Sequence, residues 1–557
     1  MAKRTKVLVD AMRAELTRSM KGLGAEGHPR PYYMSYLVRD IKKCRILACF
    51  GALWQEKRAC SRRCLADIRV GSESYDQVTS GGLHDNSTDD ESYDMIDLPV
   101  EDDADAIKFA LWKLTDAKYR EAVAAFYNRK SRDLSFVDAN KSIASFTRLP
   151  RQHSRSGGEH PVVDEALVTR DVRALSRIFK KYPEIKNSYV EFCCRECKKY
   201  FVNSEGTVRT WTEKRFELVA HFWFLGPDND DQSITVASMS RSMAGLPDRA
   251  SFARDIRRAI QAAYRTSQGE ALSSYAGPVL LAPRAAGLFL HEALGHRLEG
   301  SRFLSDEEGR HFQDQLGLAV MESNISIFDD PTLKSWGDVE LVGHYPFDDE
   351  GTPARRVELV RDGRLVGFLS TRSPFPHREG GSRGSKRSRQ LVHQPNGHAR
   401  CQGHERPISR MANFICLSRS KRTWAELKSR LIGEVSRRGL PFGIILHDVE
   451  GGETGTDAYD FQAFLGQITR ASKVYPDGRE VPIRGVDFVG TPLASLGQIL
   501  DSGGEVHVDN GYCGAESGMV PVSTVSPALL LGNLELQSKD PTRVTQYILP
   551  MPWLAKS

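Results

Sequence analysis

The sequence predicts an α+β protein. An N-terminal domain of mixed strands and helices is followed by a C-terminal domain dominated by antiparallel β-sheet, which carries one short apolar helix bearing two histidines. Three observations predict this. Apolar residues recur at helical spacing in a few well-separated stretches, such as Asp164 to Lys181 and Arg249 to Arg265. Between these stretches lie runs of β-branched and aromatic residues bounded by glycine, asparagine and aspartate. Beyond Ile325 the pattern becomes mostly short strands with glycine turns, interrupted by a helix from Thr423 to Arg438. At 557 residues the chain is long enough for two or more full cores. The expected division is an N-terminal α+β domain over 1–240, a helical connector over 241–275 and a C-terminal domain over 276–557.

The elements follow in order. Residues 8–22 read as a helix, Tyr32 to Leu37 and Ile46 to Trp54 as strands, and Leu65 to Val70 as a return strand. Asp85 to Asp105 is an acidic loop, and its last acids favour the N-terminus of a helix from about Asp103 to Asn128. Ser154 to Glu159 reads as a loop before the helix from Asp164 to Lys181. Strand-like segments follow at Asn187 to Cys193, Lys199 to Asn203, Val208 to Phe224 and Ser233 to Ser238. The helix Arg249 to Arg265 then leads into the C-terminal half, and no internal repeat is visible.

Composition narrows the function. Hydrophobic content of 40% and charged content of 27% are ordinary for a globular protein. A net charge of +5 on so long a chain gives no argument for nucleic-acid binding. No apolar run is long enough to span a membrane, and no apolar signal segment follows Met1-Ala2-Lys3-Arg4. The expected compartment is the cytoplasm, with the ten cysteines reduced.

The stretch richest in chemistry is Leu288-Phe289-Leu290-His291-Glu292-Ala293-Leu294-Gly295-His296, an HExxxH sequence entered from an apolar run. Imidazole is a preferred zinc ligand, and a carboxylate beside such a site can serve as general base in hydrolysis. In the common HExxH motif the histidines are four residues apart, about 40° around a helix, whereas five residues give about 140°. A one-residue π-bulge permitted by Gly295 would return both rings to one face. A regular helix with two structurally satisfied histidines is the plain alternative. A catalytic zinc also requires a third protein ligand. Among the cysteines the most suggestive is Cys513, flanked by Gly511 and Gly514 between strand-like runs, though a single cysteine of this kind is most often a buried apolar residue.

Several further motifs follow in a fixed order. Leu298-Glu299-Gly300 comes directly after the helix, then Asp348-Asp349-Glu350-Gly351-Thr352-Pro353, Asn396-Gly397, Arg410-Met411-Ala412-Asn413 and Asp448-Val449-Glu450-Gly451-Gly452. Cys513-Gly514 and Val520-Pro521-Val522 close the set. In this order the C-terminal half, from about Pro278 to about Gln537, resembles the TldD/PmbA family of zinc metallopeptidases, on the TldD side. The resemblance implies that His291, His296 and Cys513 hold Zn2+ and that Glu292 is the general base. It also implies the same two-part fold, an unfolded or extended peptide substrate, and a dimer: either a homodimer or a heterodimer with a homologous subunit lacking the metal ligands. The thiolate ligand would make the centre sensitive to peroxide. The chain departs from the family where the cysteine turn usually reads CGKxGQ: here Ala515, Ser517 and Gly518 replace the lysine, glycine and glutamine. Arg297 stands where a small residue is common, and His344 to Phe347 before the DDEGTP run has no assigned role.

Two other functions compete. One is the non-catalytic scaffold partner of such a pair, disfavoured because His291, Glu292, His296 and Cys513 are all present. The other is an exopeptidase similar to dipeptidyl peptidase III, in which Glu307, Glu308 or Glu322 would be third ligand. The remaining cysteines give weaker signals. Cys193-Cys194-Arg195-Glu196-Cys197 contains a single CxxC, and Cys44, Cys49, Cys60 and Cys64 lack the paired spacing of a four-thiolate site. The Gly/Ser/Arg-rich run from Arg372 to Arg410, with Arg378, Arg383, Lys386, Arg387, Arg389, Arg400 and Arg406, has little aromatic interleaving. It reads as a mobile loop, which the resemblance places at the border of the substrate groove, where Gly380 to Gln390 is expected to gate substrate entry.

Overall fold

The computed structural model of the protein describes residues 2–24, 27–78, 96–135, 143–155, 163–226, 231–305, 308–310, 312–377, 391–402, 406–456, 464–539 and 551–553. Helices and largely antiparallel sheets are mixed, as the α+β reading expects. The strands gather mainly into an eight-stranded sheet from the N-terminal part and a twelve-stranded sheet from the C-terminal part. No helix among the described residues is long and apolar enough to cross a membrane.

In the first sheet, Pro31–Cys49 pairs antiparallel with Ala52–Ser72 on one side and with Ile185–Asn203 on the other. The expected strand Ile46 to Trp54 is corrected, because the chain reverses inside it at Phe50-Gly51, with φ of 46° and 88°. A two-residue turn with both central residues left-handed matches the twist of a hairpin, and only Gly51 advertises it in the sequence. The separate strands at Asn187 to Cys193 and Lys199 to Asn203 are likewise one 19-residue strand. Charge interrupts the apolar pattern there without interrupting the ladder. Lys42 and Lys43 face solvent, whereas Arg39 and Lys199 are buried against Asp349 of the C-terminal half.

Helices Ala2–Gly22 and Ala104–Ser135 share a core with this sheet around Met12, Tyr36, Leu111 and Val202. Helices Glu165–Ser176 and Arg249–Ser267 share another around Val172, Phe192, Phe222 and Ile256. Each of the latter pair starts where an aspartate accepts a backbone N–H of the first turn: Asp164 from Leu167 and Asp248 from Ser251. The predicted helix Asp164 to Lys181 is α-helical only to Ser176 and then tightens into a 3₁₀ turn, Arg177–Lys181. The helix Trp424–Arg437 opens with a reciprocal cap between Thr423 and Glu426.

The second sheet is organised around Val520–Ser538. This 19-residue strand pairs with Ser274–Leu281, Asn413–Ser418, Val486–Gly490 and Ile499–Cys513. Most strands beyond Ile325 are short, as expected, but Gly443–Thr454, Phe464–Val474 and Ile499–Cys513 run 12, 11 and 15 residues. Glycines 451, 452, 466, 503, 504 and 511 sit inside these ladders rather than at turns, so they do not mark strand ends. Three pairings are parallel and the rest antiparallel.

Candidate metal centre

The helix Pro283–Ala293 lies on the second sheet against Val520–Ser538 and Gly443–Thr454. Proline at its first position costs no hydrogen bond and presets the backbone. Ala286, Phe289, Leu290 and Ala293 are completely buried in the main core, and the phenylalanine and leucine contribute about 1.5–3 kcal/mol each. This apolar anchor holds His291 and Glu292 in place.

The expected π-bulge is corrected. The α-helix stops at Ala293, Leu294 takes φ −124° and ψ −52°, and a 3₁₀ turn, Gly295–Leu298, carries His296 back towards His291. The ring centroids lie 5.0 Å apart at 83°. Breaking the helix solves the 140° problem that a regular helix poses. A Cβ at 295 would fall 2.2 Å from the Met411 sulfur, so any larger residue there needs that buried side chain to shift.

Cys513 arrives from the other side, as the last residue of the strand Ile499–Cys513, in register with Val520. Its sulfur lies 3.3 Å from Nε2 of His291 and 3.3 Å from Nε2 of His296. These three ligand atoms lie within 4.8 Å of one another and form the only such group of three or more among the described residues. A tetrahedral zinc with bonds of about 2.0 Å to nitrogen and 2.3 Å to sulfur separates those atoms by about 3.5 Å, so the donor set fits the ion. All three side chains are buried, at 3–7% exposure. Burial raises the Cys513 thiol, but His296, Arg410 and His291 outweigh it and hold the group well below its ordinary range, as a thiolate.

The proposed third-ligand glutamates of the competing reading are elsewhere. Glu308 lies 3.2 Å from Arg302, Glu322 is exposed, and Glu307 lies outside the described residues.

Glu292 is also buried, and the strand Gly443–Thr454 passes flat against it: a Cβ on Gly452 would sit 2.8 Å from its Cγ. Arg297 clamps the same corner, donating to the Glu292 carbonyl at 2.8 Å, Thr454 Oγ1 at 2.7 Å and Gly455 O at 2.9 Å. This is what the unusual arginine at that position does.

Sequence reasoning gave no role to the polar shell around the ligands. Glu299 accepts from His296 Nδ1 at 3.2 Å and is held by Arg302 at 3.1 Å. Burial pushes its carboxyl up, but His296, Arg302 and Arg410 bring it down to about 2. A carboxylate on the far nitrogen of a metal-binding histidine fixes its tautomer and ring orientation. Arg410 donates to Cys513 Sγ at 3.2 Å and to its carbonyl at 2.7 Å, and with its other nitrogen to Ser517 Oγ at 2.9 Å. Glu516 of the divergent cysteine turn pairs with Arg302 at 2.9 Å and 3.0 Å. The Leu298-Glu299-Gly300 and Arg410-Met411-Ala412-Asn413 motifs were the available signals, but spacing alone does not show which motif faces which.

The other motifs hold the frame. Asp348 Oδ1 accepts the N–H groups of Glu350 and Thr352, which closes the DDEGTP turn on itself. His344 Nδ1 lies 2.8 Å from the Pro331 carbonyl. The expectation of a mobile loop from Arg372 to Arg410 is corrected at its described ends. Arg372, Arg400 and Arg410 are buried, with Arg372 bonded to Thr147 O and Tyr33 Oη and Arg400 to Pro521 O. Residues 378–390, with the suggested gate, and most of the acidic loop lie outside the described residues.

Residues 274–538 match the family model described as the PmbA/TldA metallopeptidase C-terminal domain. A metalloprotease of Archaeoglobus fulgidus is 30% identical over 254 residues, which are 45% of this chain and 51% of that protein. A zinc metalloprotease TldD homolog of Saccharolobus solfataricus is 25% identical over 259 residues, 46% of this chain and 51% of that protein. The chain thus spans about half the length of these curated relatives. The solved structure of TldE from Thermococcus kodakarensis superposes with a TM-score of 0.58 at 12% identity, covering 95% of this chain and 100% of that one, a likeness of fold.

Proposed function

The chain belongs to the TldD/PmbA family, and from that premise we propose that it is a zinc metallopeptidase that hydrolyses peptide bonds in unfolded or extended peptides. The observation that carries this reading is the His291/His296/Cys513 cluster, with both histidine nitrogens 3.3 Å from the sulfur and Glu292 next in sequence to the first ligand. Two imidazoles and a thiolate favour zinc over the harder divalent ions.

His291, His296 and Cys513 hold the ion, and Glu292 is the general base. When bound, zinc supplies Lewis-acid polarisation of the scissile carbonyl and acidifies a water. Glu292 takes the proton of the attacking water and returns it to the leaving amine. Glu299 fixes the His296 ring, and Arg410 balances the thiolate charge, so both keep the ligands in one geometry. The rim of the sheet receives an extended peptide by main-chain pairing, which gives affinity with little sequence selectivity. The working assembly is a dimer, with a second copy or with a homologous metal-free subunit, a reading supported by the fold shared with TldE.

The test is cleavage of an unstructured peptide by the zinc-loaded chain beside Glu292→Ala, read by mass spectrometry. Cleavage by the wild type alone supports the reading, whereas equal cleavage by both removes Glu292 from the chemistry. Cys513→Ser separates this site from one with a glutamate ligand, because retained stoichiometric zinc would exclude the thiolate.

A further inference from the structure

A cavity of about 40 Å³ lies between residues of the first sheet and residues of the C-terminal half. One water needs about 10–15 Å³, so the space suits a group of carboxylate size. Val520, the cross-strand partner of Cys513, lines it, and exposed Gln402 and Met519 stand at its edge.

The walls carry five cations. Arg39, Arg195, Lys199 and Arg215 come from the first sheet and Arg400 from the C-terminal half. Three acids face them: Glu213, Asp348 and Asp349. Lys199 pairs with both Glu213 and Asp349 at 2.8 Å, and Arg39 reaches Asp349 at 3.3 Å. Asp348 is turned to the backbone N–H groups of Glu350, Thr352 and Ala399, and burial with Glu350 beside it drives it towards the neutral acid. Among the described residues no ion pair joins Arg195, Arg215 or Arg400 to a carboxylate.

Two nitrogens complete the argument. Arg39 is 2% exposed, yet its Nη1 has no hydrogen-bond partner, and Arg195 Nε is buried and unpartnered as well. Buried donors are nearly always satisfied, so a cavity with surplus positive charge and two orphaned guanidinium nitrogens on its walls points to an anionic ligand.

We propose that this cavity is a carboxylate subsite that selects where a peptide is cut, an inference that rests on the peptidase reading. A carboxylate held here belongs to a residue near the scissile bond, because Val520 on the cavity wall is the cross-strand partner of Cys513. The source is either the C-terminal carboxylate, making the protein cut near free C-termini, or an Asp or Glu side chain.

The experiment uses the zinc-loaded full chain carrying Glu292→Gln and three N-terminally labelled peptides, with binding read by fluorescence anisotropy. The peptides share one sequence and end in a free acid, in an amide, or in an amide preceded by aspartate. The expected result is about ten-fold tighter binding of the acid than of the plain amide, the scale of charge-assisted hydrogen bonds. That preference should collapse in Arg195→Gln and in Arg215→Gln, with zinc content retained as the check on folding. Tight binding of the aspartyl amide supports the subsite and assigns it to side chains. Equal binding of all three peptides, or no binding of any, overturns it. Cleavage by the wild type read in parallel keeps the two readings apart: selective binding without cleavage refutes the peptidase and leaves the subsite, and cleavage with equal binding does the reverse.

Discussion

The sharpest perturbation of the metal centre is Gly295→Ala. The added methyl would meet Met411 Sδ at 2.2 Å and Cε at 2.9 Å, where ordinary contact is about 3.5–4.0 Å. The thioether must withdraw by roughly 1.5 Å, and Met411 is completely buried, so the strain passes to its neighbours or to the turn that carries His296. Overpacking of this kind costs about 1–3 kcal/mol. If the turn yields, zinc affinity falls about ten-fold for each 1.4 kcal/mol so expressed. The assay is a double-mutant cycle with Met411→Ala, reading urea midpoints and zinc affinity by chelator competition. Met411→Ala alone opens a cavity at about 2–5 kcal/mol. The pair should cost at least about 1 kcal/mol less than the sum, because the new methyl fills space the thioether vacated. Strictly additive costs would refute the claim that Gly295 is glycine for want of room against Met411.

Two further predictions concern the acids. Glu299→Gln keeps the shape but removes the charge held by His296 and Arg302, and zinc affinity should fall about 10–100-fold; an unchanged affinity would mean that the backbone alone orients the His296 ring. Glu350 is buried and its carboxyl is pushed up to about 7 from 4.5, with Arg69 and Arg372 only partly opposing burial. A raised acid stabilises the fold below its unfolded value and loses that contribution as pH climbs through the folded one. Wild type should therefore lose stability relative to Glu350→Gln between about pH 4.5 and 7, and parallel urea midpoints across that window would falsify the assignment.

Legibility in the sequence followed the range of the interactions. Helices were visible because their caps and apolar spacing are local, as with Asp164, Asp248 and Thr423. The long strands of the first sheet were read as fragments, since their charged middles are buried or exposed according to partners far away in sequence, such as Arg39 on Asp349. At the candidate site, His291, Glu292 and His296 announce themselves within six residues, and the family resemblance supplied Cys513, which the structure places beside both rings. The π-bulge was a reasonable helical answer to five-residue spacing, but the chain uses the cheaper device of ending the helix. Glu299, Arg302, Arg410 and Glu516 stayed silent because their meaning lies in one another, across separations of up to 214 residues.

The sulfur and the nearer histidine of the cluster are 217 residues apart in the chain, and the sulfur stands at the end of a strand whose register is set by its hairpin with Val520–Ser538. That hairpin partner also pairs with the strand leading into the histidine helix. A nascent chain ending before residue 513 offers two imidazoles and no thiolate. One that has the cysteine but not the final strand has no rule for where to put it. Assembly of the His291/His296/Cys513 cluster thus waits on completion of the sheet, because its third member is placed only once the last strand of the hairpin is present.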